Sequence, residues 1–133
     1  ITFLAIDNNH GKKVVHQLRK DKKINVTHTF GFLPDEKNTQ GYSDKKYQRA
    51  LKMIFSIDTK QIKATTIHSF KGWESPALIV QIERQQKQDI NEEYIAAVYT
   101  ALTRLRRGDL GASYIYVICS DPYFDEYQKT WNT

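Results

Sequence analysis

TTIHSFKGWESPALIV, running from Thr65 to Val80, crowds Thr, His, Ser, Lys, Gly, Trp and Glu into a few positions and then turns abruptly apolar. With the preceding IKA it holds two strand-like runs, IKATTIH (Ile62 to His68) and ALIVQIE (Ala77 to Glu83), separated by one polar turn. The second run is apolar enough to be a central strand of a parallel sheet. Ligands of open α/β sheets bind at the carboxyl ends of the strands. The hydroxyl, imidazole, ammonium and carboxylate groups of the turn are therefore expected to gather at that end.

Reading outward, the chain keeps alternating strand and helix. ITFLAID is an apolar run; Asn8-Asn9 can cap a helix from Gly11 to about Lys20 with Val14, Val15 and Leu18 inward. INVTHTF (Ile24 to Phe30) is a β-branched, alternating strand closed by Gly31 and Pro34. After a polar loop, Ser43 caps DKKYQRALKMIF, a helix to about Ser56 with Tyr47, Ala50, Leu51 and Ile54 at inward spacing. ERQQKQD reads as a polar surface loop. NEEYIAAVYTALTRLRR has the strongest helical pattern, with Asn91 as cap, Glu92 and Glu93 at its positive end, Arg106 and Arg107 at its negative end, and Gly108 and Gly111 beyond. Its inward stripe is Tyr94, Ile95, Val98, Ala101, Leu102 and Leu105. SYIYVICS then supplies a last buried strand, and DPYFDEYQKTW a short terminal helix. This alternation predicts an α/β fold with a mostly parallel sheet and helices on both faces.

Length and composition narrow the class. The 133 residues suit a single domain with its own core. No apolar run approaches the roughly 20 residues of a membrane span, so no membrane partner is expected. The single cysteine, Cys119, is read as a small buried apolar residue in a reducing, cytoplasmic setting. Twenty Lys+Arg against fifteen Asp+Glu give +5, a charge compatible with a polyanionic partner. The abrupt start in strand-like residues, without an initiating Met or a signal-type lead, reads as a fragment of a longer protein.

Several chemistries are disfavoured. The step IDNNHGKKVV lacks the early Gly and the Ser or Thr of a P-loop, since Ile6 stands five positions before Gly11 and Lys13 follows Lys12. His10, His16, His28 and His68 show no metal-ligand spacing, and Ser69 lies outside any G-x-S-x-G elbow. Arg104, in ALTRLR, could fork onto two phosphate oxygens or simply complement a helix dipole.

TIHSFKGWE, Thr66 to Glu74, resembles motif V of superfamily 1 DNA helicases, and VYTALTRLR, Val98 to Arg106, resembles their motif VI. The UvrD/Rep-like group is the most similar in type, and the resemblance runs from about Ile62 to Ser120. It implies the C-terminal, second RecA-like motor domain: a three-layer α/β/α, P-loop NTPase-like fold lacking the P-loop. It implies Arg104 as an arginine finger and catalytic residue, Gly72 and Glu74 with Arg104 at ATP, and Thr66, His68 and Lys71 at single-stranded DNA. ATP with Mg²⁺ would be held mainly by the N-terminal RecA-like domain of the same polypeptide, so the segment alone is expected to be inactive. Lys71, where the other large branch tends to carry Gln, points to 3′-to-5′ movement. Ser75-Pro76 replaces the usual aromatic, Leu105 stands where Ala is commoner, and IDNNHG offers no clear match to the family's arginine beyond the first strand. The span from Gly31 to Lys60 has no room for the family's inserted subdomain, which favours translocation over duplex unwinding. The same residues also fit a non-catalytic nucleic-acid-binding α/β module derived from such a domain.

Overall fold

β1 (Thr2–Ala5) occupies the middle of a five-stranded sheet, hydrogen-bonded to β3 (Ile62–Thr66) on one side and β4 (Ala77–Ile82) on the other. β2 (Val26–His28) lies outside β3, and β5 (Tyr114–Cys119) outside β4. The computed structural model describes residues 1–38, 41–55, 61–84, 90–109 and 111–130. All neighbouring strands run parallel, as the strand-helix alternation predicts. The described helices are α1 (Asn8–Lys22), α2 (Asp44–Ile54), α3 (Glu92–Leu102) and α4 (Asp125–Gln128), the last preceded by a 3₁₀ turn at Pro122–Phe124.

The alternation of β1 organises the core. Phe3 and Ala5 join a buried cluster with Val15 of α1, Val26 and Phe30, whereas Leu4 joins a second with Tyr94, Ala97, Val98 and Ala101 of α3. Successive strand side chains point to opposite faces, so the clusters lie on opposite sides of β1. Gly11 lets α1 approach: a Cβ there would lie 2.3 Å from the Phe30 ring. The glycine of NNHGKK therefore serves close packing of a helix on an aromatic ring.

Four local expectations are corrected. α1 starts at Asn8 rather than Gly11 because Asp7, not the asparagines, is its cap and accepts the His10 N–H at 2.9 Å. α2 begins after Ser43 as expected, yet none of its residues is buried, and Ile54 is 73% exposed. α3 stops at Leu102, because the Thr103 hydroxyl bonds the Tyr99 and Thr100 carbonyls and Leu105 enters an isolated parallel bridge with Ser75. Arg106 and Arg107 thus lie beyond the helix, and Ile95 of its supposed inward stripe is 38% exposed. β5 is an edge strand with a largely exposed side-chain pattern, not a buried one, and Cys119 is only half-buried. An apolar run marks a strand but does not say whether a further layer covers it. Of ERQQKQD, residues 85–89 lie outside the described residues, as does Ser56, the expected end of α2.

Candidate functional site

β3 and β4 are parallel and both pair with β1, so the ten residues between them must travel from the carboxyl end of one to the amino end of the other. At the start, Ile67 N–H donates to Ala5 O at 3.0 Å, beside the carboxyl end of β1. At the finish, the Thr2 hydroxyl donates to Ser75 Oγ at 3.2 Å, beside its amino end. Ile67 and Phe70 are buried against the α3-side cluster and pin this crossing to the sheet. The polar groups of the turn therefore do not gather at one end. Thr66 stands at the carboxyl end and Glu74 at the opposite one, with at least the length of β1 between them.

The crossing is a series of tight turns. Phe70 N–H reaches Thr66 O at 3.0 Å, Lys71 N–H reaches His68 O at 3.3 Å and Trp73 N–H reaches Phe70 O at 3.0 Å. Thr66 is buried, and its hydroxyl donates to Ser69 Oγ at 3.0 Å and accepts the Ser69 N–H at 3.1 Å. Its side chain thus shapes the turn from inside. Gly72 has φ +87° with open space where a Cβ would stand, so backbone conformation, not crowding, calls for glycine there. Its neighbours His68, Lys71, Trp73 and Glu74 all project into solvent.

Two juxtapositions join this crossing to α3. His68, Lys71 and Ile67 form one wall of a groove of about 170 Å³ whose other wall is Glu93, Ala96, Ala97 and Thr100. Farther along, Ser75 N–H donates to Arg104 O at 3.0 Å and Arg106 N–H donates to Ser75 O at 3.1 Å. Those bonds set the backbones of Glu74 and Arg104 side by side at the amino end of the sheet. Thr100 links the two places, because it lines the groove and its carbonyl accepts Arg104 Nε at 3.3 Å.

Glu93, Ala96, Ala97, Thr100 and Arg104 recur at helical spacing, so stepping back from Arg104 by three or four residues finds the whole α3 wall. The two alanines keep that wall low. Lys12, Arg19 and Lys129 are held by Asp44, Glu36 and Glu126, whereas Lys71 and the terminal nitrogens of Arg104 have no side-chain partner among the described residues. Lys71 and Arg104 thus leave two cationic groups without side-chain partners on this side of the crossing, with the His68 imidazole, Glu93 and Glu74 beside them. Such an array can bind and position an anionic ligand bearing hydroxyls. It contains no nucleophile paired with a base. Among the described residues no cluster of His, Cys, Asp and Glu could hold a metal ion, and no helix is long and apolar enough to cross a membrane.

The chain matches no protein-family model, no curated protein and no solved structure.

The carboxyl end of the sheet carries a separate polar group. Asp121 accepts from Arg84 Nε at 2.6 Å, Tyr94 Oη at 2.8 Å and Tyr123 N–H at 3.0 Å. Burial pushes its carboxyl up, but the bonds from Arg84, Tyr123 and Tyr94 outweigh that and hold it below the ordinary value. Burial and the Asp121 bond push the Tyr94 hydroxyl up. This network anchors the terminal segment to α3 and lies away from the groove.

Proposed function

We propose that this chain is the C-terminal RecA-like motor domain, three-layered and without a P-loop, of an ATP-dependent superfamily 1 DNA helicase or translocase. The observation that carries the reading is the pair of backbone bonds between Ser75 and Arg104, which brings the motif V-like turn against the end of the motif VI-like helix. ATP, with Mg²⁺, supplies the γ-phosphoryl group whose transfer to water drives the cycle, and it is bound mainly by the N-terminal RecA-like domain of the same polypeptide. Arg104 extends its guanidinium toward that phosphoryl group and stabilises the charge spread over its oxygens. Glu74 accepts hydrogen bonds from the ribose hydroxyls, and the open backbone at Gly72 lets the chain approach. His68 and Lys71 contact single-stranded DNA, and Thr66 holds the turn that carries them.

Because one crossing bears both sets of groups, closure on nucleotide at Arg104 shifts Lys71 along the strand, in the 3′-to-5′ sense. The test is Arg104→Ala in the complete polypeptide. DNA-stimulated ATP hydrolysis should fall by about 10³ to 10⁵, the range typical of arginine fingers. Hydrolysis at the unaltered rate would refute the assignment.

A further inference from the structure

The outer edge of β5 is built to pair with itself. Tyr114 N–H donates to Pro76 O at 2.9 Å and Ser120 N–H to Ile82 O at 3.1 Å, so the even-numbered residues of this strand bond inward to β4. By the alternation of a parallel ladder, Ile115, Val117 and Cys119 point their N–H and C=O groups outward, where no described strand meets them. Exposed edges usually carry a Lys, a Pro, a bulge or an inward charge that blocks further pairing. YIYVIC has none of these. Tyr114 is 69%, Tyr116 67% and Ile118 48% exposed, and all three stand on the same face of the strand.

We infer that β5 is a homodimerisation edge, pairing antiparallel with β5 of a second copy about a twofold axis through Tyr116. In that register Ile115 faces Val117 of the other copy, so outward N–H and C=O groups meet outward N–H and C=O groups. Tyr116 faces its own counterpart across the axis and Tyr114 faces Ile118, which gives aromatic and aromatic-aliphatic cross-strand pairs on one face. A one-residue slip would set inward-bonded residues against outward-bonded ones and place side chains of opposite faces together. The two tyrosines leave roughly 250 Å² uncovered per copy at the usual 150–250 Å² per aromatic ring. With the isoleucines, the pair of edges approaches the lower limit of about 1,000 Å² for a specific contact, so the dimer is weak and reversible.

Sedimentation velocity on the 133-residue chain from micromolar to millimolar concentration tests this, with the mass expected to rise from 15.5 kDa toward twice that value. Tyr116→Lys, which opposes two charges at the axis, and Ile115→Pro, which removes an outward donor, should each abolish the rise. Circular dichroism checks that both variants keep their fold. Under mild oxidation Tyr116→Cys should cross-link to itself, because Cα atoms of a non-hydrogen-bonded pair lie about 4.5 Å apart, and Ile118→Cys should not. A chain monomeric at millimolar concentration, a dimer indifferent to Tyr116→Lys, or cross-linking through Ile118→Cys alone would each overturn the proposal.

Discussion

Ser75 N–H donates to the carbonyl of Arg104 at 3.0 Å, and this main-chain bond fixes where Arg104 begins without fixing where its guanidinium ends. The tether survives any substitution of the side chain. Arg104→Ala should therefore leave the thermal midpoint and the far-ultraviolet spectrum close to those of the parent, within about 1 kcal/mol. If the variant unfolded, loss of ATP hydrolysis could no longer be assigned to a missing charge.

His68 and Lys71 line the groove with Glu93 opposite, and Lys71 has no side-chain partner among the described residues. Each neutralised phosphate of a single strand contributes about 0.7 to the slope of log affinity against log salt. Lys71→Ala should lower the magnitude of that slope by about this amount and weaken binding to different sequences alike. Titration of a labelled oligonucleotide at several salt concentrations gives the slope, and an unaltered slope removes Lys71 from the interface.

Gly11 sits inside α1, where replacing an exposed glycine by alanine ordinarily stabilises by about 0.5–1 kcal/mol. Here the added methyl would meet the Phe30 ring at 2.3 Å, so the sign reverses and Gly11→Ala should destabilise by about 1–3 kcal/mol. In a Phe30→Leu background the penalty should shrink, a coupling that a double-mutant cycle in urea measures directly. A raised midpoint for Gly11→Ala would show that α1 does not press on Phe30.

His28 is buried, stacks on Phe30 with ring centroids 5.9 Å apart, and its Nδ1 accepts the Phe30 N–H at 3.3 Å. Burial first, then the nearby Arg19 charge, push its pKa down from 6.5 to about 4. Between those values the unfolded chain binds a proton that the folded chain refuses, so stability is full above about pH 6.5 and drains away toward pH 4. The loss should be at most about 3 kcal/mol. His28→Asn keeps an acceptor near Nδ1 but cannot titrate, and its denaturation midpoints should lose this part of the pH dependence.

Much of the fold was legible because β1, β3 and β4 are apolar runs bounded by turn residues, and because Ser43 and Asn91 cap their helices as their side chains dictate. The pairing of the polar turn with α3 was legible only through the separate resemblance of TIHSFKGWE and VYTALTRLR to two motifs of one family. What escaped was longer in range. The crossing to opposite ends of the sheet follows from parallel pairing of β3 and β4 with the same strand, which no window of residues contains. The early end of α3 follows from the Ser75–Leu105 bridge, a contact made by residues far apart in sequence. Exposure of β5 and of the α2 stripe escaped because hydrophobicity records what a strand or helix can bury, not what stands beside it. The α3 wall, by contrast, needed only the step of three or four residues back from Arg104.

The central place of β1 also orders events in time. Thr2 pairs with Lys63 and Leu78, so β1 is made well before either of its neighbours. Synthesis adds about 5–20 residues per second, so β1 waits for seconds with its main chain unsatisfied. Contacts this distant in sequence make for slow folding, and α1, forming at once behind Asp7, is the element able to shelter Phe3 and Ala5 during that interval.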